Sequence, residues 1–359
     1  MNTHTAKPSI RAGYSALDET LEIMAPMGPD LKNGFSNHAP MAIEAMCAMN
    51  RADAVMPWFE GYRHSLAPRH PRVARLTSDN WRAALGDFRR TEDWFEFFRN
   101  EFEERPWPSV LDARAARLAP GLMASATHGV IRTGHAARAL TVEDTPARRR
   151  ELADGLGYWA ADYLALPAER HAQVRAKPSD AIARVQMIPI EMRVGSLGAF
   201  TDALAKLDSF PPFKDTLDAV DTTGDPGAFI SDLTATFARV FLANARDTYT
   251  TIAFVHAVTG PSALRPLLPY LGDSIAHEAL GYAWQTAAAM YATFGTRADL
   301  SHSGEVKVGN LDELIDRAIA CGDEHAIKFT EVCLREHALN PAPVYLAAAE
   351  HAIRMLSAT

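Results

Sequence analysis

Cys321-Gly322-Asp323-Glu324-His325-Ala326-Ile327-Lys328-Phe329-Thr330-Glu331-Val332-Cys333-Leu334-Arg335-Glu336 reads as a helix, and the same reading, repeated along the chain, decides the fold. Ala326, Ile327, Phe329, Val332, Cys333 and Leu334 are dense enough to bury much of it. At about 100° and 1.5 Å per residue, His325 and Lys328 share a face and can reach a common point. A buried ammonium is costly unless it is paired or neutralised. Lys328 therefore snorkels to solvent, pairs with Glu324 or Glu331, or is a deprotonated lysine at a reactive or metal site.

Outward from this stretch, apolar residues recur at helical spacing over 14–25, 52–65, 79–104, 109–140, 147–166, 195–206, 228–247, 249–258, 262–270, 273–294, 310–321, 323–338 and 342–357. A further helix opens at an N-cap on Ser36 or Asn37, with Pro40 in its first turn and Met41, Ala45, Met46 and Met49 facing inward. Trp81, Leu85, Phe88, Trp94, Phe95 and Phe98 form an aromatic stripe that reads as core. An extended piece is expected at Val185 to Ile190, a loop over Leu300 to Gly309, and no alternating strand longer than four or five residues. The fold class is all-α. The chain forms one helical domain over 1–359, either as a single unit or as two halves. In the second case a seam falls near 221–227, at Thr222-Thr223-Gly224-Asp225-Pro226-Gly227, with a metal site between the halves.

Composition narrows the function classes. The 359 residues, 48% hydrophobic and 22% charged, are those of a globular protein with a sizeable core. A formal net charge of -8 without a long Lys/Arg run argues against nucleic acid. The densest basic cluster, Arg148 to Arg150, reads as a solvated helix start beside Glu143, Asp144 and Glu151. Cys47, Cys321 and Cys333 show no metal-type pair and fit reduced thiols. No signal-peptide order opens the chain and no apolar run approaches 18 residues, so a cytoplasmic protein without a membrane span is expected.

No dinucleotide fingerprint, Walker loop or Gly-x-Ser-x-Gly elbow is present; Gly155/Gly157 and Gly195/Gly198 lie in or beside helical patterns and follow no buried strand. Any chemistry must come from side chains gathered between helices, and the histidines are the best candidates. His4, His70, His171, His302 and His351 lie in polar or terminal contexts and read as surface residues. His38, His128, His135, His256 and His325 sit in apolar or tightly patterned surroundings. Taken singly, each reads as a core histidine bonded to a carbonyl; taken together, they read as ligands.

Five segments, in order along nearly the whole chain, resemble the questin oxidase family. They are Asn37-His38-Ala39-Pro40-Met41, Thr127-His128-Gly129-Val130-Ile131-Arg132-Thr133-Gly134-His135-Ala136-Ala137-Arg138, Leu156-Gly157-Tyr158-Trp159-Ala160-Ala161, His256-Ala257-Val258-Thr259-Gly260-Pro261 and Gly322 to Glu331. The resemblance implies oxygen-dependent cleavage of, or oxygen insertion at, a ring carbon-carbon bond in an aromatic polyketide of the anthraquinone type. It implies either a Baeyer-Villiger-type monooxygenase using NADPH or a non-haem iron dioxygenase. In the second case Fe(II) is held by four histidines and a carboxylated lysine. Carried onto this chain, the lysine is Lys328 and the histidines are His38, His128, His256 and His325, with His135 and His277 as alternatives for the fourth. Arg132 and His135 are the expected catalytic groups, and Arg132 or Arg138 could orient ligands or hold a phenolate. Trp58, Phe59, Tyr158, Trp159, Phe254 and Trp284 are candidates to stack on a flat polycycle, though each also suits a core.

The chemistry suits the assignment. A lysine amine takes up carbon dioxide only when unprotonated, which burial favours. Imidazoles and an anionic oxygen suit iron, and oxygen activation needs an open position. Two other classes are compatible with the residues alone. A metal-dependent hydrolase with a carbamylated lysine would ordinarily require a β/α barrel, whose strand-helix alternation is missing. A helical interaction module would show a fixed 30 to 45 residue repeat, and none is seen.

Overall fold

A computed structural model of the chain describes residues 13–169, 174–193, 200–296, 299–301 and 309–357. His4, His171, His302, Gly195 and Gly198, the start of the helix expected over 195–206 and most of the 300–309 loop lie outside the described residues. The chain is all-α. Its helices of eight residues or more, among the described residues, are α1 (Ser15–Met24), α2 (Ala39–Ala48), α3 (Val55–Tyr62), α4 (Thr91–Glu104), α5 (Trp107–Leu118), α6 (His128–Val142), α7 (Pro146–Ala161), α8 (Pro226–Asn244), α9 (Thr248–Ser262), α10 (Asp273–Phe294), α11 (Leu311–Ala320), α12 (Glu324–Leu339) and α13 (Pro343–Leu356). A two-stranded antiparallel sheet pairs β1 (Met27–Leu31) with β2 (Leu66–Pro68). Met27-Gly28-Pro29, whose glycine and proline would ordinarily break an element, opens β1.

Local chemistry sets the helix starts that matter for the site. Asp247 and Thr250 form a reciprocal capping box at α9. Asp323 caps α12, accepting from the His325 and Ala326 amides, directly after Gly322 at φ 79°. Asn37 Oδ1 accepts the Ala39 amide at 3.0 Å at the entrance to α2, although His38 occupies the N-cap position itself.

Three expectations are corrected by the tertiary structure. The pattern over 109–140 is two helices, because the chain turns back over 122–127 with Ser125, Ala126 and Thr127 all in the left-handed region. His128 is consequently the first residue of α6. The pattern over 79–104 is interrupted at Leu85-Gly86-Asp87, where Gly86 takes φ 73°, and only α4 is a long helix. The extended piece expected at Val185 to Ile190 is non-helical over 185–189, with Val185 in the extended region; it joins no strand, and the Ile188 amide donates to the Ala292 carbonyl of α10. Conversely, the separate patterns at 249–258 and 262–270 begin as one helix, α9, which runs through Pro261 to Ser262.

The basic run at 148–150 also differs from its reading. It opens α7, but Arg148 is fully buried, bonded to Asp18 of α1 and to the carbonyls of Tyr14, Ala139 and Glu143. His70 and His351 are half-buried, bonded to Asp30 and to the Ala245 carbonyl. In the aromatic stripe, Trp81, Trp94, Phe95 and Phe98 are core, while Leu85 and Phe88 sit at its edge.

The main apolar cluster contains residues from both sides of 221–227, among them Leu111 and Trp159 before it and Phe237 and Trp284 after it. Within it α6 lies unusually close to its neighbours. A Cβ on Gly129 would sit 2.6 Å from the Trp159 Cα of α7, and one on Gly134 would sit 2.5 Å from the carbonyl oxygen of Ala263, at the end of α9. Only glycine allows both approaches, the first of which draws the His128 helix onto α7 and the second onto the His256 helix. A Gly129→Ala substitution is expected to lower stability by about 1–3 kcal/mol through overpacking, read as a lower urea midpoint with an unchanged m-value.

Candidate metal centre

Three helix starts and the middle of a fourth helix converge at one buried point. His38 enters from the N-cap of α2, His128 from the first turn of α6, His256 from the middle of α9 and His325 from the first turn of α12. Their side chains are buried, and one nitrogen from each lies within 4.8 Å of the others. The rings form a closed cycle, with centroids 4.6 Å apart for His38 and His128, 4.5 Å for His128 and His256, 5.3 Å for His256 and His325, and 4.6 Å for His325 and His38. This group could hold a metal ion.

The proton positions make the case. His128 Nδ1 lies 2.5 Å from the Ser125 carbonyl oxygen and His256 Nδ1 lies 2.8 Å from that of Ile252. A carbonyl only accepts, so both rings carry their proton on Nδ1 and present a bare Nε2 lone pair. Those two Nε2 atoms face each other at 3.1 Å. No proton is available to bridge them, and a cation between them removes the repulsion. His38 Nε2 also lies 2.7 Å from His128 Nε2.

Carboxylates lie beside the outer nitrogens of the other two rings. His325 Nδ1 is 3.2 Å from Asp323 Oδ1. His38 Nδ1 is 3.4 Å from Glu324 Oε1, an ionic contact whose alignment falls short of a hydrogen bond, so this buried nitrogen has no hydrogen-bond partner. Holding each imidazole by its outer nitrogen is how proteins orient metal-binding histidines. Burial, followed by the neighbouring Lys328 charge, pushes the His38 and His128 pKa values well down, and burial followed by the His128 and His325 charges does so for His256. The three rings therefore stay neutral, as ligands must be.

Lys328 points into the same region. It is 1% exposed and its Nζ has no hydrogen-bond partner. It neither snorkels nor pairs with Glu331, which is bonded instead to Arg138 and Arg335. Burial pushes its pKa down to about 8, while Glu324 and Asp323 pull the other way.

The remaining candidates lie elsewhere. Arg132, one turn after His128, is buried and makes a two-pronged pair with Glu151 at 2.6 and 2.8 Å. His135 lies outside the four-imidazole group, with Nδ1 2.6 Å from Glu44 Oε2. Arg138 pairs with Glu44 and Glu331. His277, half-buried in the first turns of α10, is not in the group either. Phe59, Trp159, Phe254 and Trp284 are fully buried, and Tyr158 nearly so. Only Trp58 of the aromatic candidates is half-exposed. It stacks on Tyr62 at 4.8 Å, and Tyr62 accepts the His38 amide at 3.0 Å.

Sequence reading missed Ser125, Glu44 and Tyr62, and it named Glu324 only as a partner for Lys328. Asp323 was readable as a helix cap. The Ser125 carbonyl left no side-chain signal at all. The fold and this group together define an all-α protein with a buried tetra-histidine site able to hold a metal ion. The chain matches no family model and no curated protein. Among the described residues, no helix is long and apolar enough to cross a membrane.

The lowered Lys328 pKa has a measurable sign. Between about 8 and the ordinary lysine value of 10.5 the unfolded chain binds more protons than the folded one, so stability rises with pH across that window. Below about 8 the full cost of the buried ammonium is present. In metal-free, carbon dioxide-free buffer, Lys328→Met is therefore expected to be more stable than wild type at pH 7, with the gap shrinking by pH 10. Parallel urea midpoints at the two pH values check this.

Proposed function

We propose that the protein is a non-haem iron oxygenase acting on an aromatic polyketide, with Fe(II) held by His38, His128, His256, His325 and a carboxylated Lys328. The observation that carries the reading is the confrontation of the His128 and His256 lone pairs beside a buried, unpartnered lysine. The resemblance of the five segments to the questin oxidase family supplies the reaction class and the substrate class.

Geometry favours iron over a closed zinc site. With metal-nitrogen bonds of about 2.1 Å, ligands at 90° lie about 3.0 Å apart and tetrahedral ligands about 3.4 Å apart. The Nε2 separations of 2.7 and 3.1 Å fit the smaller angle. His38, His128, His256, His325 and a carboxylated Lys328 would hold the iron and would leave room for oxygen chemistry, which needs an open position. Bound there, Fe(II) would supply one-electron redox chemistry at an open position for dioxygen.

The chain's own residues supply the rest. Neutral Lys328 adds its nitrogen lone pair to the carbon of CO2, forming a C–N bond and releasing one proton to give an anionic carbamate oxygen. That anion turns a costly buried cation into a ligand. The Ser125 and Ile252 carbonyls and Asp323 hold the His128, His256 and His325 rings in the tautomer that binds, and Glu324 lies 3.4 Å from His38 Nδ1. The half-exposed Trp58, stacked on Tyr62 beside His38, offers a flat face on which an aromatic ring can lie.

Protein purified without chelator is expected to contain iron and to consume oxygen with an anthraquinone-type substrate. Elemental analysis and an oxygen electrode test this; fully occupied zinc with no iron-dependent oxygen uptake would overturn it. His38→Ala, His128→Ala and His256→Ala should each lower iron affinity at least tenfold. Unchanged occupancy in all three would leave the ring as core histidines.

Lys328→Ala is expected to fold, since it removes a desolvation cost, yet to bind iron poorly, with partial rescue by short carboxylic acids. Lys328→Arg should stay inactive, because a guanidinium keeps its proton. Oxygen uptake by both variants, with and without added acetate, is the measurement.

A further inference from the structure

Two helical turns beyond the imidazole ring lies a second, fully polar tier built by the same four helices. Glu44 follows His38 by six residues, His135 follows His128 by seven, Ser262 follows His256 by six and Glu331 follows His325 by six. At 1.5 Å per residue each lies about 9–10 Å along its helix from the ring. These four residues belong to one connected network. Glu44 accepts from Tyr14 Oη at 2.7 Å, from His135 Nδ1 at 2.6 Å and from Arg138 Nε at 2.8 Å. Arg138 also pairs with Glu331, which accepts from Arg335 Nε at 3.0 Å. Arg335 reaches Glu336 at 3.1 Å, and Glu336 accepts from Ser262 Oγ at 2.6 Å and from Arg265 at 3.0 and 2.7 Å.

The tier balances its charge. Glu44, Glu331 and Glu336 face Arg138, Arg335 and Arg265, and burial lowers the His135 pKa. Burying this much charge contributes little net stability against well-packed apolar residues, so its presence asks for another role. Its bonds are directional and short, and they tie α2 to α6, α6 to α12 and α12 to α9, the last through Glu336, about a turn and a half further along α12 from Glu331. A shift of any one of these helices along its axis would break them.

We infer that this ion tier is the positioning device of the metal site. It fixes the axial register of the four ligand helices, so that four Nε2 atoms converge before any metal arrives. Glu44, Arg138, Glu331, Glu336 and Ser262 are positioning residues and touch neither metal nor substrate. The inference rests on the metal reading of the ring.

Co(II), whose visible absorption reports ligand geometry, is the probe. The variants are Glu44→Gln, which removes one tier charge at constant shape, and Ser262→Ala, which removes one hydroxyl and no charge. The control is Asp18→Asn, which weakens the pair that the buried Arg148 makes with α1; Arg148 also meets the Tyr14 carbonyl, but no hydrogen bond of the tier is removed. Glu44→Gln and Ser262→Ala are each expected to weaken Co(II) binding about tenfold, the range seen when groups supporting metal ligands are lost, and to shift the visible bands, with far-UV circular dichroism unchanged. Asp18→Asn should lower the thermal midpoint and leave affinity and bands as in wild type. Wild-type affinity and spectrum in both tier variants would overturn the inference; if Glu44→Gln fails to fold, Ser262→Ala decides alone. A wild-type protein that takes up no Co(II), Fe(II) or Zn(II) would instead overturn the metal reading itself, and the inference with it.

Discussion

The structure turns on the meeting of two lone pairs. His128 and His256 each spend their only proton on a carbonyl, and their bare Nε2 atoms are left 3.1 Å apart in a buried place. Nothing in the chemistry of either residue favours that contact. The surrounding packing imposes it, through helices drawn together where Gly134 of α6 meets the Ala263 backbone and Gly129 meets α7. A native arrangement that sets two acceptors face to face is one that a cation could complete.

The two kinds of support behind the ring follow from where each histidine sits on its helix. His256 lies inside α9, so the carbonyl four residues earlier, that of Ile252, is already at hand. His128 is the first residue of α6 and has no preceding helical turn. The left-handed run Ser125-Ala126-Thr127 supplies the missing acceptor by folding the Ser125 carbonyl back onto the ring. Non-glycine residues in that region cost about 1–2 kcal/mol each, and such strain is characteristic of functional sites. His38 and His325 sit at helix entrances and are met by the carboxylates of Glu324 and Asp323 from the start of α12. These two acids also lie where they temper the burial effect on Lys328.

Charge is separated by level. The ring level holds the neutral His38, His128 and His256, the carboxylates of Asp323 and Glu324 and one amine whose proton is weakly held, whereas the paired arginines are gathered two turns away. A metal ion held there would be met by lone pairs rather than by competing cations. Arg132 follows the same rule on the opposite flank of α6, its guanidinium already satisfied by Glu151.

Much of this was legible in the chain itself. Helical periodicity determined the all-α class and most helix positions, because an amphipathic pattern reports burial of one face whatever that face meets. Histidines in apolar settings, with Lys328 one turn after His325, were visible as candidates for the same reason: burial of a titratable group leaves a compositional trace. Which histidines meet was not decided locally. His135 and His128 share a face and a similar apolar setting, yet one pairs with Glu44 and the other joins the ring, since the choice depends on which helix packs opposite. The break at 122–127 was equally hidden, because the left-handed turn is enforced by close packing around Thr127 and Gly129 and not by the preferences of Ser125, Ala126 and Thr127. Tertiary structure alone decided the tautomers, since the acceptors that set them are backbone carbonyls and carboxylates whose positions exist only once the helices are assembled.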